Sequence, residues 1–386
     1  MTTGLTRTAA LVALGRASGT ASLLAVNAIL ARAWPVEQVG AWAAVWILGS
    51  AVVPLFLLGL PTTVLYLFPR RDAAGRSVLL LQVAGALTLS GLLLALLLPI
   101  LGPLAMEWLD PRALTEVGDL GALLAPFLPY LFSLVCGGFV DSALVAAGRA
   151  GWQAGLSLAH ALGLILVAAA GFWLGLEVRA VLLLVSVIGV FRLAIGMIVT
   201  RLATGPRPGA ERLGQGGREL LACALPIWLT DAVGGLSRYV DRIVVAAFFP
   251  AAVLAQYHLA AVEVPVSLLL GAVVTVLVPR ISGLHQEGRI TEIAELWQQA
   301  IGRLALLVLP LFAFLFCFAG PFMAVYLPES YARGSGSSGS SSSLCRSDAR
   351  STDRSWSGSV GPTGPRGPAS STWGSTWPWG SAWYTC

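Results

Sequence analysis

The polar and apolar positions of this chain do not alternate at the period of a strand or of a surface helix. They segregate into long apolar runs broken by short polar ones, at about 11–31, 41–65, 78–101, 121–145, 153–175, 181–200, 221–247, 252–278 and 301–326. About 20 apolar residues carry a helix across a bilayer, so nine membrane spans are expected. The first run lacks a short core followed by a small-residue cleavage pattern and reads as an ordinary first span. One stretch differs in period: 284–303, "LHQEGRITEIAELWQQAIGR", sets Ile290, Ile293, Leu296 and Trp297 on one side and Glu292, Glu295 and Gln299 on the other. That pattern predicts an amphipathic helix lying on the membrane surface.

Composition agrees with this pattern. Of 386 residues, 56% are hydrophobic and 11% charged, with a mean hydropathy of +0.80, against about 25% charged in soluble domains. There is no lysine, so arginine carries the orientation signal. With the N-terminus cytoplasmic, that side receives thirteen arginines (Arg7, Arg16, Arg70, Arg71, Arg76, Arg149, Arg201, Arg207, Arg212, Arg218, Arg280, Arg289 and Arg303). The other receives four: Arg32, Arg112, Arg179 and Arg333. The asymmetry predicts a multi-pass protein with its N-terminus inside. The formal charge of +5 is then an orientation signal rather than a nucleic-acid surface, which needs clustered basic residues outside the bilayer. The five cysteines share no short spacing and suggest neither a disulfide framework nor a metal site.

Loops between the runs are short. The longest on the inner side before the seventh run, "RLATGPRPGAERLGQGGREL", is rich in Gly, Pro and Arg and divides the chain. The expected organisation is a first six-helix bundle over 1–204, a cytoplasmic linker over 205–219, a partial second bundle of three spans over 220–333 and a Ser/Gly/Trp-rich tail over 334–386. An internal repeat crosses the linker. "NAILARAWPVEQVGAW" after Asn27 and "DRIVVAAFFPAAVLAQY" after Asp241 each place a polar residue in a span, then a proline, then an aromatic, and each following span ends in Pro-Arg. Repeats of this kind characterise transporters.

Ionisable residues inside spans are costly and face protein or water. In "LTDAVGGLSRYVDRIVVAAF", a continuous helix would set Asp231 and Arg242 within 20–40° of Arg238, with Asp241 about 60° to the other side. Four charges on one face, beside Gly234, read either as a hydrated cavity or as ion pairs pinning helices together. Arg16, Thr20 and Asn27 form a weaker stripe in the first span, with Gly19 close by to permit tight packing, although Arg16 also reaches the headgroups by snorkelling. Arg192 lies deeper in the sixth span than anchoring requires. Asp141 is expected to pair structurally with Arg149 or Arg192. His160, His258 and Glu263 are candidates for ion coupling. Pro54, Pro61, Pro126, Pro129 and Pro226 lie within runs and predict kinks. No HExxH, G-x-S-x-G or GxxxxGK[ST] pattern occurs, and a Ser beside Asp141 lacks the base that nucleophilic chemistry needs, so an enzyme is not expected. An intramembrane polymerase or ligase would need sizeable outer loops.

The stretches "LGRASGTASLLAVNAILARAWPVEQVGAWAAVW" and "RYVDRIVVAAFFPAAVLAQYHLA" resemble the openings of the two halves of bacterial polysaccharide (oligosaccharide) flippases, within the multidrug/oligosaccharidyl-lipid/polysaccharide exporter superfamily. The likeness spreads over about 8–333. It implies an all-α polytopic fold of two six-helix bundles around a central cavity that alternates between inward- and outward-open states. Of twelve spans implied, about nine are present here. The implied activity is translocation of polyprenyl-diphosphate-linked oligosaccharide repeat units across the cytoplasmic membrane of a bacterium, for cell-surface polysaccharide, exopolysaccharide or O-antigen. Arg16, Asn27, Arg192, Arg238 and Arg242 would line the diphosphate cavity, and Asp231, Asp241, Glu263 or His160 would couple transport to a proton or sodium gradient. No other cofactor is implied. Partners would be the lipid-linked oligosaccharide, the bilayer, and a polysaccharide polymerase and glycosyltransferases, with the transporter itself a monomer. Relatives in the superfamily include cation-coupled drug or metabolite exporters and the flippase for the peptidoglycan lipid precursor.

Such a chain is expected to continue beyond "YLPESYARGS" into three more spans. Instead Ser335–Cys386 holds 16 serines and five tryptophans and no run long enough to span. Three readings remain: a shifted reading frame in a GC-rich gene, a true disordered tail, or a deliberately altered chain. In each, an inactive product is an alternative to a working flippase.

Overall fold

The computed structural model describes residues 2–109, 120–204, 216–261, 281, 284, 288–328 and 331. The chain divides into Met1–Ala332 and Arg333–Cys386, and the second part, with the tail, lies outside the described residues. So do the linker at 205–215, Glu263, and most of the eighth predicted span.

The described residues fold as an all-α polytopic membrane protein. Eight helices are long and apolar enough to cross a bilayer. The helices are α1 (Thr2–Ala33), α2 (Val36–Phe56), α3 (Leu60–Leu67), α4 (Ala73–Leu109), α5 (Leu120–Ala146) and α6 (Ala150–Leu174), followed by α7 (Val178–Thr204), α8 (Gly217–Ser237), α9 (Val240–Phe248), α10 (Ala251–Ala260) and α11 (Ile290–Tyr326). We refer to the membrane side from which α1 enters as the near side and to the other as the far side.

In the first group, α5 packs against α3, α4 and α7, and α1 packs against α6. Leu124, Phe127, Leu131, Val135, Phe139 and Leu144 of α5 are buried, so one long apolar helix supplies much of the core. An aromatic column crosses this core. Trp42 stacks on Trp46 at 5.3 Å, Trp46 meets Phe127 and Tyr130 at 5.7 Å each, and Tyr130 stacks on His160 at 6.0 Å with 11° between the rings. Such pairs add to the stabilisation that their burial gives.

Three sequence expectations change. The second run is not one helix: it breaks at Leu57–Gly59 into α2 and α3, with Leu58 at φ 53° and Gly59 at φ 63°. The seventh run also breaks, at Arg238–Tyr239, into α8 and α9. The amphipathic stretch is not a separate surface helix but the first turns of α11, a 37-residue helix whose only non-helical backbone is at Phe318. Its apolar positions merge into the following span without a breaker, so helix geometry continues through them.

The internal repeat has a local counterpart in the backbone. Pro35 and Pro250 each cap the next helix, at φ −56°, ψ 155° and φ −57°, ψ 157°. The amide of the aromatic residue before each bonds four residues back, Trp34 to Leu30 and Phe249 to Val245, at 3.0 Å in both. Proline suits this place because its fixed φ leads into a helix and its missing donor costs nothing there. The two repeat-related helices, α2 and α10, then cross on the far side at Gly40, where an added Cβ would lie 2.2 Å from the Ala251 carbonyl oxygen.

Candidate functional site

The helices after the linker meet the first group mainly along α2 and α3. On the far side the contact is α2 with α10. Towards the near side it is α2 and α3 with α8. There Gly235 abuts Pro54, and Gly59 lies against the backbone of Ala224 and Trp228. At the near-side ends Arg71 forms an ion pair with Glu219. Far-side ends are joined separately: Arg32 donates to the carbonyls of Val325 at 2.8 Å and Tyr326 at 3.1 Å, capping the last turn of α11. A cation at a helix C-terminus meets both unsatisfied carbonyls and the favourable end of the dipole.

The predicted charged face of the seventh run is redistributed by the break after Ser237. Asp231, Arg238 and Asp241 are exposed and Arg242 is half-buried. Asp231 lies beside Thr62 within electrostatic reach of Arg238. Arg238 reaches its own helix, donating to Gly234 O at 3.4 Å, and has no ion pair among the described residues. Asp241 accepts from the Tyr257 hydroxyl at 2.8 Å. Arg242 donates to the Ala261 carbonyl and sits 5.5 Å over the Tyr239 ring. Arg238 and Asp241 therefore do not pin to one another. The second group instead closes on itself through Asp241–Tyr257 and Arg242–Ala261, which fasten α9 onto α10.

The other predicted residues separate into two settings. Arg16 is exposed on α1, where its backbone carbonyl accepts from Thr20 Oγ1 at 3.5 Å and its guanidinium has no ion pair among the described residues. Asn27 is 2% exposed with neither amide atom partnered among the described residues. Arg192 of α7 pairs with Asp141 of α5 at 2.7 Å, beside a cavity of about 10 Å³ bordered by Ser133 and Leu156, room for about one water. His160 lies in the aromatic column, 3.4 Å from the Tyr130 hydroxyl. The structure thus brings Asp141, Arg192, His160 and Tyr130 into the first group and Asp231, Arg238, Asp241 and Arg242 into the second.

Sequence reasoning passed over two residues. Trp228 reads only as apolar in the sequence, yet its indole N–H reaches the Leu55 carbonyl at 2.7 Å. Arg32 enters only the charge tally. His258, a candidate for ion coupling in the sequence, is 2% exposed, both ring nitrogens lack partners among the described residues, and it lies within reach of Arg242's charge. Among the described residues nothing lies within 4 Å of a Cβ added at Gly19 or Gly234; close approaches are at Gly15, against Gln153 and Ser157, and at Gly235.

Comparisons with known proteins place this arrangement. An outward-facing multidrug resistance MATE family transporter of the MOP superfamily shares the fold with a TM-score of 0.67 at 15% identity, over 86% of this chain and 75% of that one. An inward-facing transporter of the same description gives 0.64 at 14%, over 81% and 74%. A MOP superfamily transporter from Pyrococcus furiosus, described as having reversed polarity in its binding pocket, gives 0.56 at 15%, over 84% and 73%. No curated protein matches the chain. A family model described as Lipid II flippase MurJ matches residues 48–335. The matching family is one of transporters rather than of catalytic enzymes, and the polysaccharide-flippase resemblance is met only as far as a flippase family with this fold. The chain belongs to the Lipid II flippase MurJ family.

Proposed function

We propose that the chain is a flippase for a polyprenyl-diphosphate-linked saccharide, carried from the cytoplasmic to the outer leaflet of a bacterial inner membrane with the near side cytoplasmic. The observation that carries the reading is the state of the span arginines. Arg16 and Arg238 are exposed and form no ion pair among the described residues. A guanidinium facing hydrocarbon is costly, and a wet cavity beside these faces would remove that cost. An anion is what such a cavity accepts: the arginine fork binds phosphate oxygens by paired, charge-assisted hydrogen bonds. The diphosphate is also the part of the substrate least able to enter lipid, while the polyprenyl tail stays in the bilayer. Arg242 joins this set from the other side of the α8–α9 break. Arg192 does not, because Asp141 already neutralises it.

The family description favours the peptidoglycan precursor lipid among such substrates, and an oligosaccharide repeat unit shares the same diphosphate chemistry. A proton or sodium gradient would act through Asp231 or Asp241, the exposed carboxylates nearest these arginines, with Glu263 and His160 as further candidates. A polymerase and glycosyltransferases would supply and consume the saccharide, and the working unit would be a monomer.

The test is leaflet translocation in proteoliposomes holding either lipid-linked muropeptide or a lipid-linked oligosaccharide. Arg238→Ala is expected to lower the rate roughly 10- to 100-fold at unchanged fold, the loss of charge-assisted bonds of about 1.5–3 kcal/mol. Arg242→Ala is expected to lose as much rate and also stability, because its side chain ties α9 to α10. Unchanged transport in Arg238→Ala would remove it from the phosphate path. Drug-dependent proton flux without movement of either lipid-linked sugar would replace the proposal with a cation-coupled exporter.

A further inference from the structure

The break in span two takes backbone carbonyls from their helical partners, those of Leu55 and Phe56 among them. A continuous helix would give these two to the amides of Gly59 and Leu60. Here the Leu60 amide turns to Leu57 O at 3.1 Å instead. Both carbonyls are met by a side chain from another helix: Phe56 O accepts from Ser90 Oγ of α4 at 2.7 Å, and Leu55 O accepts from Trp228 Nε1 of α8 at 2.7 Å. The two caps differ in one respect. Ser90 belongs to the same group of helices as the break, whereas Trp228 lies on the helix across the near-side seam.

Two more features show how closely this segment is held in its bent form. Leu58 stands at φ 53°, a left-handed conformation that an L side chain holds only where its surroundings over-determine it. Gly59 follows at φ 63°, and a Cβ there would meet Trp228 N at 2.6 Å and Ala224 O at 2.7 Å, so the bent chain is moulded directly to the backbone of α8. Pro54 and Pro61 border the segment, and Gly235 of α8 abuts Pro54. Among the described residues, the supports of the broken form from across the seam come from α8.

We infer that Trp228 is a positioning residue for transport: its indole N–H holds span two broken while the near side is closed, and parting of α8 from α2 lets span two straighten. An unmet carbonyl in a low-dielectric setting is costly. With α8 withdrawn, the Leu55 carbonyl recovers a partner by rejoining the helical ladder, and Leu58 leaves its strained conformation in the same step. Opening of the near side and straightening of span two are therefore one transition. This goes beyond the proposed function and does not depend on which substrate is moved.

The test uses the full chain in lipid nanodiscs, with its five cysteines replaced and two pairs of spin labels introduced. Labels at Gln38 and Leu65 report the bend, and labels at Pro69 and Arg218 report the near-side gap. Both distance distributions should hold two components that rise and fall together. Trp228→Phe keeps the ring contacts but deletes the donor. It should raise the long-distance component of both pairs roughly tenfold, the worth of one hydrogen bond at about 1.4 kcal/mol per decade. Leu58→Gly removes the strain of the bent form and should lower the long-distance component of both pairs by a comparable factor; it carries the test alone should the first variant fail to fold. A gap that widens in Trp228→Phe while the Gln38–Leu65 distance stays fixed overturns the inference. So does a Leu58→Gly chain in which neither distance changes.

Discussion

Replacing Gly40 with valine is expected to part α2 from α10 and abolish closure of the far side. An added Cβ would lie 2.2 Å from the Ala251 carbonyl oxygen and 2.7 Å from its carbon. Overpacking usually costs about 1–3 kcal/mol, relieved in part by side chains that move aside. Here the obstacle is backbone, fixed by its place just after the Pro250 cap, so the helices themselves must separate. The expected cost lies at or above the top of that range, a shift of roughly 100-fold against the closed state. The measurement is the distance between spin labels at Gln38 and Val253, near the crossing, which should lengthen and broaden. Transport should fall with it, since a leaking far side breaks alternation. Gly19→Val is the matched control: among the described residues nothing lies within 4 Å of its Cβ, and it should leave the same distance unchanged.

Gly40 also shows where the sequence was legible. The repeat around Pro35 and Pro250 is written in residue types, because proline restricts the backbone wherever it stands. The all-α membrane fold and the order of spans follow from run length alone. What run length cannot convey is whether a run is one helix. Pro54 and Pro61 predicted kinks, but the break falls between them, at Leu57–Gly59, where packing against Ala224 and Trp228 selects a conformation that Leu58 would not choose. The break at Arg238–Tyr239 had the same effect on charge. Angles counted along an unbroken helix put Asp241 beside Arg238, whereas the turn hands Asp241 to Tyr257 instead. Choosing among nearby glycines failed for a related reason. Gly15 and Gly235 meet a neighbour while Gly19 and Gly234 do not, a difference of helix rotation set by what packs outside.

The Asp141–Arg192 pair is the place where the sequence left a structural and a transport role open, and a mutant cycle separates them. Asp141→Ala is expected to destabilise the first group of helices by about 2–3 kcal/mol. Removing one partner of a fully buried pair costs about 3–5 kcal/mol, and the lower figure applies because the two side chains keep 22% and 37% exposure. Arg192→Met should cost less, since a carboxylate bordering a water-sized cavity retains some solvation. The double variant Asp141→Ala, Arg192→Met should recover to within about 1 kcal/mol of the parent, as apolar replacements of paired charges commonly do. Heat unfolding in detergent reads the stabilities, and translocation in proteoliposomes reads the role. A pair that only holds α5 to α7 predicts that the double variant transports within a few-fold of the parent. Recovered stability with transport still lost would show that Arg192 or Asp141 acts on substrate or ion directly, and would return Arg192 to the set of arginines that meets the diphosphate.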